Sequence, residues 1–146
     1  MRVYLDACSL QRPLDDRTQP RINVEAEAVL TILSLVESGD LELLSSEVLE
    51  FEISRIPDVQ RQARVREILT LAIQILKLTD EVEALAATLA KAGIKPIDAL
   101  HLASAAQTKA DYFCTCDDKL LKKSRKLKNL DTNVVSPLEL ITEVTP

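Results

Sequence analysis

Four acidic residues far apart in the chain, Asp6, Glu52, Asp98 and Asp117, have types and positions that could do chemistry. Asp6 ends the apolar run Val3-Tyr4-Leu5, and Asp117 follows Phe113-Cys114-Thr115-Cys116. Both are then expected just beyond the carboxyl end of a strand, where open parallel sheets bind their ligands. Asp98 follows Pro96 and falls in the first turn of an expected helix. A helix dipole favours a carboxylate there by roughly 0.3–1 kcal/mol, so structure alone could account for it. Glu52 shares a helix with Glu47 and Glu50. At about 100° per residue, Val48, Leu49, Phe51, Ile53 and Ile56 define an apolar arc with Glu52 near its middle and Glu47 and Glu50 opposite. A carboxylate placed among such neighbours is costly unless it is paired or binds a metal.

Carboxylates gathered at one point repel and drive at least one pKa upward, unless cations balance them. Mg²⁺ and Mn²⁺ choose oxygen ligands. Such an ion generates a nucleophilic hydroxide near neutral pH and neutralises charge developing on a phosphate, which is what hydrolysis of a phosphodiester requires. Asp6, Glu52, Asp98 and Asp117 are accordingly the candidate catalytic and metal-ligating residues. Asp118 could stand in for Asp117, and Glu47 or Glu50 for Glu52.

Other residues carry weaker signals. His101, the single histidine, lies one turn from Asp98 and reads as a packing or supporting residue rather than a general base. Cys114 and Cys116 fit alternate strand positions better than a zinc site, because no further Cys or His cluster is near. Cys8 lacks a base partner, so a cysteine nucleophile is not expected. Lys119, Lys122, Lys123, Arg125, Lys126 and Lys128 are by default a solvated helix face. Beginning next to Asp117, they could equally steer a substrate's phosphates toward the metals. Asp80 with Glu83 reads as helix N-terminal capping.

The elements that must position these residues can be read from apolar periodicity and breakers. Strands are expected at 2–6, 41–44, 112–115 and 134–135. Residues 8–21, with Pro13, Asp15, Asp16, Thr18 and Pro20, read as loop. Helices are expected over 22–37, closed by Gly39, and from a Ser45 or Ser46 cap to about Ile56, stopped by Pro57. Val65, Ile68, Leu69, Ala72, Ile73 and Leu76 form a further amphipathic stripe, and Val82, Leu85, Ala86, Leu89 and Ala90 another, ended by Gly93. Pro96 to about Thr108, a short basic helix after Asp117 and a final turn opened by Pro137 complete the series. Strands spaced by helices imply an α/β fold with three layers, a central parallel sheet of four or five strands covered on both faces.

The bulk properties set limits. With 146 residues, 47% hydrophobic and 28% charged, the chain suits one packed domain over 1–146 rather than a disordered segment. Two glycines, Gly39 and Gly93, exclude a Gly-rich phosphate loop. No window approaches the ~20 apolar residues of a membrane span. Three cysteines without an export signal suggest reduced thiols in a cytoplasm. The net charge of −5 argues weakly against duplex DNA as a partner, although clustered carboxylates with bound cations would make a locally positive site.

Four segments then resemble one family. Val3-Tyr4-Leu5-Asp6-Ala7-Cys8-Ser9-Leu10 is similar to the opening strand and first aspartate of PIN domains. Asp98-Ala99-Leu100-His101-Leu102-Ala103-Ser104-Ala105 resembles their third acidic motif, and Phe113-Cys114-Thr115-Cys116-Asp117 their last. Ser45-Ser46-Glu47-Val48-Leu49-Glu50-Phe51-Glu52-Ile53 resembles the segment bearing the family glutamate, which aligns best with Glu52. The resemblance spans the chain in the right order. It implies Mg²⁺- or Mn²⁺-dependent cleavage of RNA, with many small members being toxins of the VapC type that are neutralised by an antitoxin protein, and many being homodimers. Two features depart from the pattern. Cys8 stands where many members carry a hydroxyl or amide, and a thiol is a poorer donor toward the first aspartate. The loop Arg12-Pro13-Leu14-Asp15-Asp16 has no counterpart in the general pattern and could carry a substrate contact. A catalytically silent RNA- or protein-binding module is the alternative function. A receiver-type phosphoacceptor domain is disfavoured because Ala7 and Cys8, rather than an acidic pair, accompany Asp6.

Overall fold

Val3, Tyr4 and Leu5 are all fully buried, the mark of a strand covered on both faces. They form β1 (Arg2–Leu5), the central strand of a five-stranded, all-parallel sheet. A computed structural model describes residues 1–145; the expected domain bound at Pro146 lies outside the described residues. β2 (Glu42–Ser46) and β4 (Tyr112–Cys114) flank β1, and β3 (Gln74–Leu76) and β5 (Asn133–Val135) form the edges, giving the order β3-β2-β1-β4-β5. Tyr4 registers with Leu44 on one side and Phe113 on the other.

The order reverses direction after β3, and right-handed crossovers then put the connecting helices on opposite faces. α2 (Pro20–Glu37), reached from β1, packs against α8 (Pro137–Val144), whereas α5 (Asp80–Lys91) packs against α6 (Pro96–Gln107) on the way to β4. The result is a three-layer α/β/α fold with a continuous apolar core. α3 (Glu47–Ser54) and α4 (Val59–Leu69) link β2 to β3, and α7 (Asp118–Arg125) links β4 to β5. Gly39 and Gly93 take positive φ, +84° and +101°, just past α2 and α5, where an L side chain would be strained.

Several elements differ from expectation. Residues 8–21 are not all loop: α1 (Ala7–Gln11) follows Asp6 directly, a 3₁₀ turn covers Arg12–Leu14, and α2 starts at Pro20. One turn of helix is too short to show a 3.6 period, and Asp6 starts it by accepting the Ser9 N–H. The 65–76 stripe is not one helix. α4 ends at Leu69, and the chain re-enters the sheet, with the Ile73 N–H donating to the Leu43 carbonyl before β3 begins. Ile73 and Ile75 are exposed on this edge while Leu76 is buried, so apolar spacing that mimicked a helix belongs to two structures. α3 stops at Ser54, two residues short of Ile56, and Ser46 rather than Ser45 caps it. Thr79 caps α5; Asp80 and Glu83 lie within its first turn. Val24 is exposed although it is apolar and lies in α2.

α8 is a full helix with a capping box: the Ser136 hydroxyl accepts from the Glu139 N–H at 3.2 Å, and the Ser136 N–H donates to Glu139 Oε1 at 2.9 Å. Ser136→Ala is expected to cost about 1 kcal/mol, read as a lower urea midpoint at unchanged slope. An unshifted midpoint would mean that α8 docks without help from its cap.

Candidate active site

Each of the four acids is delivered by a different element. Asp6 follows β1 and, as the N-cap of α1, is held by the Ser9 N–H on Oδ1 at 3.1 Å; its residue is 5% exposed. The Cys8 thiol donates to the same oxygen, also at 3.1 Å. The residue that departs from the family pattern therefore supplies the donor after all, across a longer and weaker type of bond.

Asp117 follows β4. Its Oδ1 accepts the N–H groups of Lys119 (2.9 Å) and Leu120 (3.2 Å), capping α7. Its own N–H donates to Thr115 Oγ1 at 3.1 Å, so the Thr-x-Asp spacing has a mechanical purpose. Asp118 points elsewhere and pairs with Arg21. Asp98 sits in the first turn of α6.

Glu52 is where expectation and structure part. α3 buries Val48, Leu49 and Ile53 but leaves Phe51 54% exposed, with the Arg55 guanidinium over its ring. The buried arc is narrower than the sequence suggested, and Glu52 lies at its border with a 37% exposed side chain. Its partner is the histidine: His101 Nε2 lies 2.6 Å from Glu52 Oε1. Glu47 binds the Leu78 N–H and Glu50 faces Arg66, so neither turns toward the other acids.

Asp6, Glu52, Asp98 and Asp117 line one pocket of about 320 Å³, together with Ala7, Cys8, Arg12, His101 and Cys116. Their mutual influence is felt at Asp98. Burial raises its pKa, and the charges of Asp6 and Asp117 raise it further, against a lowering effect of His101. Asp98 lines the same pocket as Asp6 and Asp117, a placement that the dipole of α6 alone does not require. Among the described residues, no three His, Cys, Asp or Glu side chains close tightly enough to hold an ion as they stand. The donor set suits a hard cation, being oxygen-rich and acidic, and Mg²⁺ keeps several waters while taking only a few carboxylates directly.

Three residues at this site went unnoticed or undervalued in the sequence. Tyr4, two places before Asp6 in β1, is fully buried, and its hydroxyl lies 2.6 Å from both Ser46 Oγ and His101 Nδ1. Ser46 Oγ, the Tyr4 hydroxyl, the His101 ring and Glu52 Oε1 thus form one hydrogen-bonded chain behind the pocket. Burial pushes the Tyr4 phenol well above its ordinary pKa and keeps it a donor. The signal was available as a tyrosine inside a buried strand, which must find a partner for its hydroxyl. Arg12 enters the pocket from the atypical loop. Its guanidinium binds Asp15 at 3.0 Å and faces Glu25, and Arg61 of α4 clamps Asp15 and the Leu14 carbonyl. Cys116 shares the pocket wall with Cys8, and its sulfur lies 3.7 Å from Ser9 Oγ. The proximity of Cys8, Arg12 and Ser9 holds the Cys116 thiol below its ordinary value against burial, whereas Cys116, burial and the charge of Asp6 hold the Cys8 thiol up.

The basic residues 119–128 are all exposed where they carry charge. Lys123 binds the Gly93 carbonyl and Arg125 pairs with Glu139, while Lys119, Lys122 and Lys126 share a helical stripe with Lys123. No helix among the described residues is long and apolar enough to cross a membrane.

The fold agrees with that of known proteins. Solved structures of similar fold include FitAB bound to a DNA fragment (21% identity, 92% of this chain and 94% of that one, TM-score 0.61). VapBC2 from Rickettsia felis, bound to a DNA fragment from its promoter, matches at 12% identity over 93% and 98% of the two chains, with TM-score 0.62. A protein from Pyrobaculum aerophilum matches at 16% identity over 99% and 98%, with TM-score 0.57. No curated protein sequence matches the chain. The family model for the PIN domain matches residues 3–126, a span that takes in all four acids. The chain belongs to the PIN-domain family, whose members are generally nucleases.

Proposed function

We propose that this protein is a Mg²⁺- or Mn²⁺-dependent endoribonuclease that cleaves RNA phosphodiester bonds with a metal-activated water, and that it is the toxin of a toxin–antitoxin pair. The observation that carries the reading is the meeting of Asp6, Glu52, Asp98 and Asp117, from four separate elements, in one pocket at the carboxyl end of the sheet. A bound divalent ion supplies an acidified water and neutralises charge on the phosphate.

The chain's residues do the rest. Asp6, Asp98 and Asp117 hold the ion directly or through its waters. Ser9 and Cys8 fix Asp6 by its Oδ1, and Lys119 and Leu120 fix Asp117 by its Oδ1. In each carboxylate the second oxygen is left for the ion. Glu52, oriented by His101, holds an ion or accepts the proton of the attacking water.

The test is to incubate labelled single-stranded RNA with the protein and Mn²⁺ or Mg²⁺, with and without EDTA. Ion-dependent fragments are expected. RNA that is bound but stays intact with either ion would leave the silent binding module as the function.

The stripe Lys119, Lys122, Lys123 and Lys126, beginning beside Asp117, supports electrostatic guidance of the RNA, with Arg125 contributing less because Glu139 occupies it. Lys122→Gln with Lys126→Gln is expected to weaken RNA binding in EDTA and to flatten the plot of log Kd against log salt by about 0.7 per charge removed. Fluorescence anisotropy at several salt concentrations reads this. An unchanged slope would return the stripe to a solvated face.

The fold likeness to FitAB and VapBC2 supports an antitoxin protein as partner. Exposed apolar side chains on α3, α6 and beside β3, namely Phe51, Ile97, Ile73 and Leu78, support a homodimer.

A further inference from the structure

Two of the three cysteines meet at the wall of the acidic pocket, and no step of the proposed reaction uses their sulfur chemistry. Cys8 comes from α1 and Cys116 from the segment after β4, 108 positions later in the chain, yet both line the same pocket and each sulfur lies against the other cysteine's neighbour. The surroundings fix both. Ser9 Oγ, next to Cys8, binds the Cys114 carbonyl at 3.2 Å and reaches Cys116 Sγ at 3.7 Å, while Cys8 Sγ lies 3.8 Å from Thr115 Oγ1. The pocket of about 320 Å³ that both thiols line admits a solute larger than water. Cys114, by contrast, is fully buried inside β4 and does not line it.

We propose that Cys8 and Cys116 form a vicinal dithiol that a small hydroperoxide oxidises to a disulfide across the mouth of the acidic pocket. With hydrogen peroxide, one thiol attacks a peroxide oxygen, the O–O bond breaks, and a sulfenic acid and one water result. The second thiol then attacks the sulfenyl sulfur, the S–S bond forms, and the oxygen leaves as a second water. Two thiols lose two electrons and two protons, and the peroxide is reduced to water. A sulfenic acid with a second thiol against it is resolved by this condensation. The new bond takes the Cys8 S–H away from Asp6 Oδ1, which keeps only the Ser9 N–H. Oxidation thus loosens the first acid of the site, and a dithiol reductant restores it.

The experiment is peptide mapping by mass spectrometry under non-reducing conditions, after treating the full chain with hydrogen peroxide and blocking free thiols. The expected product is an intramolecular link between the peptides carrying Cys8 and Cys116, lighter by two hydrogens. It should be absent in Cys8→Ser and in Cys116→Ser, present in Cys114→Ala, and reversed by dithiothreitol. Blocked, unlinked thiols at Cys8 and Cys116 in the treated wild type, a link to Cys114, or links only between molecules would each overturn the proposal. The mapping needs neither RNA nor a metal, so its failure and that of the nuclease reading are distinguishable.

Discussion

Asp98→Asn is expected to lose the proposed RNA cleavage and, without added ions, to unfold at a higher temperature than the unmodified chain. Both outcomes follow from one circumstance, that Asp98 faces like charges. Its pKa is raised by burial first and then by Asp6 and Asp117. A carboxyl whose folded pKa lies above its unfolded value binds protons more readily in the native state. Stability therefore falls as pH rises through the interval between the two values, and at neutral pH the whole penalty is present. The amide removes the charge while keeping the side chain's shape. Asp98 accepts no capping bond in α6, so little is lost with it.

The ion reverses the order. Mg²⁺ that binds only the folded wild type at a hundred times its dissociation constant stabilises it by about 2.7 kcal/mol. Asp98→Asn should gain little. Asp6→Asn should also be inactive yet folded, because Asn keeps an oxygen for the Ser9 N–H and the Cys8 thiol. Rates down on the order of a hundredfold or more are expected for both, since even groups that only support metal ligands are worth 10–100-fold. Differential scanning fluorimetry with and without Mg²⁺, beside a cleavage assay, separates the possibilities. If Asp98→Asn melts lower than wild type in EDTA, its carboxylate serves the helix dipole, and the cluster reading of Asp98 fails.

How far these features were legible in the sequence depends on how local their causes are. β1, β2 and β4 announce themselves as short apolar runs ended by polar residues, and Asp6, Asp98 and Asp117 follow from strand ends and a proline-led helix. α1 and β3 were hidden for opposite reasons. α1 depends on one side-chain cap, from Asp6, and has no apolar stripe to display. β3 has a stripe, but Ile73 and Leu76 fit a helix as well as an edge strand, and only the pairing with β2, 30 residues distant, decides. Glu52 lines the acidic pocket, but not from the middle of a buried apolar arc. Its surroundings are a border with solvent and a histidine 49 residues away, and no helical wheel contains His101. The meeting of Cys8 and Cys116 at one pocket wall is equally non-local, since each alone looks like a small core residue.

That histidine also supplies the test of whether the buried chain behind Glu52 matters to the chemistry. Tyr4→Phe keeps the ring, its stacking on Phe113 at 5.3 Å and nearly all of its volume, and removes only a hydroxyl. Ser46 Oγ and His101 Nδ1 then face each other across the space where the oxygen stood, each short of a partner. Leaving buried polar groups unpaired costs about 1–3 kcal/mol, and a drop of that size in unfolding free energy is expected. Cleavage should fall by about 10–100-fold, because the imidazole no longer holds one tautomer and one orientation toward Glu52. Glu52→Gln forms the contrasting variant. Its amide oxygen still accepts from Nε2–H, so stability should stay near that of wild type while activity is lost with the charge. Tyr4→Phe that is less stable but fully active at temperatures where it is folded would make the Tyr4–His101 chain a core network only. A stable, fully active Glu52→Gln would remove the glutamate from the mechanism and leave three aspartates to carry it.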